Sequence, residues 1–192
     1  MPPDPRATGG DDAPDDETLG DGEPPRVLLD AMCGKLATYL RMCGYDAAYA
    51  LDRGVEDDDR VLSLAAAEDR ILLTRDRELA ARAVDRDPGS VLLTERDVVD
   101  PLREVAAAGL PVALADEPTR CGACNGPVER VGPGGIDVDP DERPDYVPDD
   151  VGPAAAGDSD PDARPAWRCR DCGRWFWKGS HWASVAARLA EV

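Results

Sequence analysis

Short apolar runs alternate with helical patterns of apolar residues along the first 110 residues of the chain. The runs with the length of buried strands cover residues 27–29, 46–50, 71–74 and 91–94. The stretches with apolar residues at helical spacing begin near Cys33, Asp57, Asp76 and Asp97. Strands that alternate with helices predict a parallel sheet with helices on both faces, so the expected fold class is α/β. A last amphipathic helix is predicted at the C-terminus, with Trp182, Val185, Ala186 and Leu189 on one face.

Two acidic stretches interrupt this pattern. Residues 1–25 hold eight acidic residues and one arginine, and residues 137–162 hold ten acidic residues and one arginine. Both are rich in proline, glycine and aspartate and poor in large apolar residues, a composition typical of disorder. We therefore expect a disordered tail over 1–25, an α/β domain over 26–116, and a C-terminal module over 117–192 with a disordered acidic insertion at about 132–165.

The net charge of −18 comes almost entirely from these two stretches. The rest of the chain is close to neutral, so the overall acidity does not argue strongly against a polyanionic substrate. Of the 22 basic residues, only Lys35 and Lys178 are lysines. A soluble protein rich in carboxylates and poor in lysine is typical of a salt-loving host. A GC-rich genome would also favour arginine over lysine.

The C-terminal module contains two pairs of cysteines, each separated by two residues: Cys121 with Cys124, and Cys169 with Cys172. This spacing allows two thiolates to bind one tetrahedral zinc ion, and two such knuckles facing each other make a zinc ribbon. Disulfides or buried thiols are the alternatives. No signal peptide and no membrane-spanning run is apparent, which favours a reducing cytoplasm and structural zinc. Because residues 124–169 exceed the ~15–20 residues usual between such pairs, the insertion must loop out.

Several aspartates are expected at one edge of the predicted sheet, because the carboxyl ends of parallel strands lie together and ligands bind there. The candidates are Asp30, Asp58, Asp59, Asp76 and Asp97. A carboxylate cluster in this position can bind Mg²⁺ or Mn²⁺ for phosphoryl chemistry. Each acid also has an ordinary structural interpretation, since aspartate is a preferred helix N-cap and a common turn residue.

Two basic residues, Lys35 and Arg75, flank the proposed edge. They are candidates for binding phosphate. The alternative interpretation is that both are simply solvated charges near a helix end. Cys33 and Cys43 lie on or near the apolar face of the first predicted helix and are interpreted as core thiols. His181 is the only histidine, which excludes a metal site built from histidines.

Four motifs occur in the order found in one nuclease family. They cover residues 30–46 (DAMCGKLATYLRMCGYD), 71–79 (ILLTRDREL), the two cysteine knuckles, and 175–182 (WFWKGSHW). Together they resemble the Mut-seven C-terminal RNase family over roughly 26–126 and 167–190. The resemblance implies a PIN-like nuclease domain joined to a zinc ribbon, with RNA as the substrate and divalent metal-dependent cleavage as the activity. It also implies that Asp30 and Asp76 are the catalytic aspartates, with Asp58 or Asp59 at the next acidic position.

All four tryptophans and the single phenylalanine lie near the second cysteine pair, at Trp167, Trp175, Phe176, Trp177 and Trp182. Aromatic side chains can stack on unpaired bases, or they can form the small core that a ribbon needs. Lys178 and His181, within the same stretch, are candidates for contacts with RNA. The sequence thus predicts a zinc-ribbon ribonuclease. The alternatives are a non-catalytic RNA- or ribosome-binding adaptor and a zinc-ribbon module for protein interactions.

Overall fold

The computed structural model describes residues 24–95, 99–132, 134–139, 142–152 and 163–192. Its centre is a parallel sheet of four strands in the order β2-β1-β3-β4. The strands are β1 (Val27–Leu29), β2 (Ala47–Tyr49), β3 (Ile71–Thr74) and β4 (Ser90–Leu92). Val27 aligns with Ala47 on one side and with Ile71 on the other. The buried strands are nearly continuous in apolar residues because helices cover both faces of the sheet.

Helices pack on both faces of this sheet and bury alternate residues of the central strands. The helices are α1 (Gly34–Met42), α2 (Asp58–Ala67), α3 (Arg77–Ala83), α4 (Val99–Ala107) and α5 (Ser180–Leu189). Leu29 and Leu73 share one apolar cluster with residues of α1, α4 and α5. Leu28 and Leu72 share the opposite cluster with residues of α2 and α3. The predicted α/β architecture is therefore confirmed.

The first helix ends as its sequence predicts. Gly44 has φ of 89°, in the left-handed region that glycine adopts without strain, and its N–H donates to the carbonyl oxygen of Arg41 at 3.1 Å. The sharp reversal at Gly44 sends the chain from α1 directly back into β2. This places the first two strands side by side with α1 between them in the chain.

A smaller antiparallel sheet follows in the order β5-β6-β7. Its strands are β5 (Val128–Val131), β6 (Ala166–Cys169) and β7 (Trp175–Trp177). Val131 and Ala166 are register partners, and so are Val128 and Cys169. The long insertion therefore begins after Val131 at the end of β5 and ends before Ala166 at the start of β6, and these two residues are partners in the sheet.

Part of the acidic insertion packs against this sheet, where the sequence predicts disorder over about 132–165. Val147 and Val151 are buried in an apolar cluster with Val131, Ala166 and Trp175. The compositional argument missed these two valines because it averages over a stretch, whereas burial depends on single side chains. Residues 153–162 lie outside the described part of the chain.

The C-terminal helix completes the core of the large sheet. Val185 and Leu189 of α5 belong to the same apolar cluster as the inner faces of α1 and α4. Arg188 also donates a hydrogen bond to the Tyr39 hydroxyl of α1. The two ends of the described chain are thus packed into one body. None of the described helices has the length and apolar character that crossing a membrane requires.

Candidate functional site

A buried threonine links two of the predicted catalytic aspartates at the carboxyl ends of β1 and β3. Thr74 is fully buried, and its hydroxyl donates to Oδ2 of Asp30 at 2.9 Å. The same hydroxyl oxygen accepts the backbone N–H of Asp76 at 3.0 Å. Oδ1 of Asp30 accepts the N–H of Ala31 at 2.5 Å. We call Asp30, Thr74 and Asp76 the carboxyl edge. Sequence analysis gave no role to Thr74, although it lies within the motif over residues 71–79.

Asp76 also caps a helix, which is the ordinary structural role that the sequence analysis considered for it. Its Oδ1 accepts the N–H groups of Glu78 at 2.7 Å and Leu79 at 3.0 Å at the start of α3. Within the described residues, no donor hydrogen-bonds to its Oδ2, and the side chain is exposed. Capping by one oxygen leaves the other for a ligand, so the two roles are compatible. Asp57 caps α2 in a similar way, by accepting the N–H of Arg60 at 3.1 Å.

The acids of α2 have a different partner. Asp58 lies 3.4 Å from a guanidinium nitrogen of Arg82, and Asp59 pairs with the same guanidinium. In the described ranges, no three carboxylates place their oxygens within 4.8 Å of one another. The structure therefore joins the side chain of Asp30 to the backbone of Asp76 through Thr74, and it pairs Asp58 and Asp59 with Arg82 of α3 instead. Asp97 lies outside the described residues.

A cavity of about 400 Å³ adjoins the carboxyl edge. Its lining includes Met32, Cys33, Gly34, Lys35, Tyr49 and Arg75. Arg75 donates to the carbonyl oxygen of Met32 at 3.3 Å, while its buried Nε has no partner in the part of the chain that the structure describes. Burial raises the pKa of the Cys33 thiol to about 11, so this side chain is neutral. The predicted cations Lys35 and Arg75 therefore line one cavity, formed by residues that follow Asp30 and Thr74 in the chain.

Four cysteines form the second predicted site. The sulfurs of Cys121 and Cys172 lie 3.7 Å apart, those of Cys124 and Cys169 lie 3.5 Å apart, and all four are within 4.8 Å of one another. A tetrahedron of sulfurs at the Zn–S distance of ~2.3 Å has edges of ~3.8 Å. A disulfide would need a separation of ~2.05 Å. These four cysteines are free thiols with the spacing of a four-cysteine metal site, and such a site can bind a metal ion such as zinc.

The electrostatics of this cluster also suit a cation. Burial raises the pKa of the thiols of Cys121, Cys124 and Cys169. Burial acts in the same direction on Cys172, but the backbone N–H of Arg174 and the neighbouring thiols lower its pKa overall. Four close sulfurs cannot all carry negative charge without a counterion, and a divalent metal ion supplies that counterion.

The first knuckle (residues 121–126) is attached to the parallel sheet by direct hydrogen bonds. Asn125, with φ of 68°, donates to Oδ1 of Asp46 at 2.6 Å and accepts the N–H of Ala47 at 2.9 Å. The buried Arg41 of α1 donates to two carbonyl oxygens of the knuckle, at 3.1 and 3.0 Å. The four-cysteine cluster is therefore tied to β2 and α1. Sequence analysis missed these contacts because they join residues about 80 positions apart.

The sequence model of the Mut7-C RNAse domain matches residues 25–189, nearly the whole chain. The chain belongs to the Mut7-C RNAse domain family. The predicted resemblance is thereby confirmed, and membership suggests a ribonuclease-type function with RNA as substrate or partner. No curated protein and no solved structure matches the chain.

The opposite end of the large sheet in this Mut7-C domain holds a network of paired charges. Arg70 is 2% exposed and binds Asp46 at 2.8 Å and Glu68 at 2.6 Å. Arg26 also contacts Asp46, at 3.1 Å. Burial alone would raise the pKa of Asp46, but hydrogen bonds from Arg70, Asn125 and Arg26 hold it well below its usual range. We call Arg26, Asp46, Glu68 and Arg70 the amino edge.

The aromatic residues of the Mut7-C C-terminal sheet divide into two groups. The buried ones are Trp167 and Trp175, and the half-buried ones are Phe176, Trp177 and Trp182. The ammonium group of Lys178 lies 5.9 Å from the ring centroid of Trp167 and 5.6 Å from that of Trp182, and it donates to the carbonyl oxygen of Asp116. His181 is exposed at the start of α5. Core packing therefore accounts for the buried pair and in part for Trp177, which packs against the apolar cluster of the C-terminal sheet, whereas Phe176 and Trp182 remain partly exposed.

Proposed function

We propose that the chain is a divalent metal-dependent ribonuclease that hydrolyses RNA phosphodiesters at the carboxyl edge. The observation that carries this proposal is the hydrogen-bonded link from Asp30 through Thr74 to Asp76, next to a cavity lined by Lys35 and Arg75. Membership in the Mut7-C RNAse domain family supports RNA as the substrate class.

The carboxyl edge suits Mg²⁺ or Mn²⁺ by its donor chemistry. These ions prefer oxygen ligands, and Mg²⁺ is commonly bound by one or two carboxylates together with water and substrate phosphates. Asp30 and Asp76 would hold the ion in this proposal, and Asp97 is a further candidate ligand. Asp58 and Asp59 would contribute after release from Arg82, with which they pair here. A bound ion would supply Lewis-acid stabilisation of the phosphate and a more acidic water.

The other residues have separate roles in this proposal. Thr74 fixes the orientation of Asp30, because its hydroxyl donates to Oδ2 while Ala31 donates to Oδ1. Lys35 and Arg75 would bind the negatively charged phosphates that approach the edge. The four cysteines would hold a structural zinc ion and keep the ribbon folded. The ribbon, with Lys178 and His181, would help to position the RNA.

The test is cleavage of labelled single-stranded RNA with Mn²⁺ or Mg²⁺, at low and at multimolar KCl. We expect Asp30→Asn and Asp76→Asn to abolish cleavage and Asp100→Asn to leave it unchanged. Asp100 is a matched control because it is a partly exposed aspartate paired with Arg103 on α4. RNA binding without cleavage by the wild type would favour the adaptor. No RNA binding would favour a protein-interaction module.

A further inference from the structure

A second cavity, of about 370 Å³, lies where the C-terminal sheet meets α1. Its size falls within the ~300–1,000 Å³ typical of small-ligand pockets. Helix α1 contributes Thr38 and Met42, and the knuckles and β7 contribute Arg174, Phe176 and Trp177. The start of α5 adds His181 and Trp182. The cavity thus joins the two sheets of the molecule and adjoins the metal site.

The lining combines aromatic faces with positive charge. Phe176 and Trp182 are half-buried, and Arg174 is exposed at the rim. Arg120 also contributes to the wall, and its guanidinium lies 4.0 Å from Asp46. No described lining residue carries a carboxylate, although the chain as a whole has a net charge of −18. Aromatic rings beside arginines are the features that bind unpaired bases through stacking and the adjoining phosphates through charge.

One face of α1 connects this cavity to the cavity beside the carboxyl edge. Lys35 lines the first cavity, and Thr38 and Met42 line the second. These residues are three and seven positions apart, so they lie on the same side of the helix. At a rise of ~1.5 Å per residue, Met42 is ~10 Å along the helix axis from Lys35. A single strand of RNA can therefore follow this face from one cavity to the other.

We propose that the cavity at the junction of the two sheets binds an unpaired nucleobase of the RNA strand whose phosphates lie along α1 toward Asp30. The inference rests on the proposed function, because it assumes RNA as the ligand. The backbone carbonyls of the first knuckle on the cavity wall already accept hydrogen bonds from Arg41. Recognition would then depend on stacking, which every base can provide, so we expect little sequence preference.

Base pairing should prevent this binding. In a duplex the bases are already stacked and their faces are covered, so only a single strand can place a base against Phe176. The site would therefore make the protein select unpaired RNA. A single abasic nucleotide at the bound position should weaken binding in the same way as loss of the aromatic face.

The experiment measures binding of a labelled single-stranded RNA by fluorescence anisotropy, using the full zinc-loaded chain without added Mg²⁺ or Mn²⁺. The variant Phe176→Leu keeps an apolar side chain of similar size and removes the aromatic face. We expect it to weaken binding about tenfold, the effect typical of losing one stacked base. We expect Arg174→Ala to weaken binding several-fold, about the effect of losing one contact to phosphate.

The control is Arg170→Ala. Arg170 is an exposed arginine of the same zinc ribbon, it pairs with Glu129, and it is outside the described lining of the cavity. We expect this variant to bind as the wild type does. Zinc content and the midpoint of unfolding establish that each variant is folded, and a variant that loses its zinc is replaced by Trp182→Leu.

The outcomes separate this inference from the proposed function. Binding that falls for Phe176→Leu and Arg174→Ala but not for Arg170→Ala supports the site. Equal binding by all variants, together with wild-type cleavage, overturns the site and leaves the ribonuclease proposal standing. Equal affinity of the wild type for duplex and single-stranded RNA also overturns the site. A wild type that neither binds nor cleaves RNA overturns both.

Discussion

The two ends of the large sheet use aspartate in opposite ways. At the amino edge, Asp46 is largely buried and is held by Arg70, Arg26 and Asn125. At the carboxyl edge, Asp30 is hydrogen-bonded only by neutral donors in the described part of the chain, the Thr74 hydroxyl and one backbone N–H. The charge of aspartate is balanced by arginines at one end, whereas at the other end the carboxylate is held by neutral donors.

This difference supports the proposal that the carboxyl edge, rather than the amino edge, binds the metal ion and the RNA. A carboxylate whose charge is balanced by arginines attracts a further cation only weakly. Breaking a buried ion pair is also costly, because it leaves a buried charge without a partner. A carboxylate fixed by neutral donors keeps both its orientation and its charge, which suits the binding of a cation. The amino edge also anchors the metal site, since Asn125 of the first knuckle bonds to Asp46.

The largest effect should follow from damage to the metal site on the amino side. We expect Cys124→Ser to abolish stoichiometric zinc binding and unfold the ribbon, because structural zinc contributes ~10–16 kcal/mol in zinc-finger peptides. Zinc analysis and near-ultraviolet circular dichroism of the nearby tryptophans measure this. Cys43→Ser is the matched control, since Cys43 is outside the cluster. Full zinc content in Cys124→Ser would contradict the assignment.

The amino edge should be more sensitive than an exposed ion pair. Arg70→Leu removes a buried cation from two carboxylates, and we expect it to lower the free energy of unfolding by about 3 kcal/mol. Arg82→Leu removes a partly exposed cation that also has two carboxylate partners, and we expect a loss below about 1 kcal/mol. Urea unfolding of both variants makes the comparison. Losses of equal size would show that the amino edge is not a specially stabilising network.

The low pKa of Asp46 should make the amino edge sensitive to acid. A folded-state pKa below the unfolded value of ~3.9 stabilises the protein above that value, and the stabilisation is lost as pH falls. We expect about 2 kcal/mol to disappear between about pH 5 and pH 2. Asp46→Asn should lack this component, so its stability should depend less on pH over that range. If the stability of Asp46→Asn depended on pH as strongly as that of the wild type, the proposed pairing of Asp46 with arginines would be wrong.

The carboxyl edge should respond in activity rather than in stability. Thr74→Val keeps the shape of the side chain but removes the hydroxyl that orients Asp30 and accepts the N–H of Asp76. We expect kcat to fall about tenfold with little change in KM, because a hydrogen bond to a charged group contributes at least ~1.5 kcal/mol and ~1.4 kcal/mol is a factor of ten in rate. Thr74→Ser should restore the rate. If the serine variant is as slow as the valine variant, Thr74 does not position Asp30 through its hydroxyl.

The sheet and the four-cysteine cluster were predictable because their signals are local. Strands covered on both faces are continuous apolar runs, and Gly44 marks the end of α1 at the point where the left-handed conformation occurs. The two cysteine pairs carry their own spacing, so the cluster was expected even with a long insertion between them. These features depend on neighbours in the sequence, or on a pattern that repeats.

The contacts that distinguish the two edges could not be predicted. Thr74 and Asp30 are 44 positions apart in the sequence, and Asn125 and Asp46 are 79 positions apart. No residue pattern in either segment identifies the partner. Aspartate is equally suited to capping a helix and to binding a metal ion. The sequence therefore placed Asp58 among the candidate ligands, while the structure gives it Arg82 as a partner. Which role an aspartate takes depends on distant cations that the fold supplies.

The insertion between β5 and β6 begins and ends at register partners, Val131 and Ala166. The Cα atoms of such paired residues are ~4.5–5.5 Å apart. The sheet therefore holds the two ends of the intervening loop at a fixed short distance. Doubling the length of such a loop costs only ~0.6 kcal/mol. Natural sequences can thus lengthen this loop with little penalty to the ribbon, provided that Val147 and Val151 keep their places in the apolar cluster with Trp175. The same position would accept a grafted reporter domain or an affinity handle without moving any of the four cysteines.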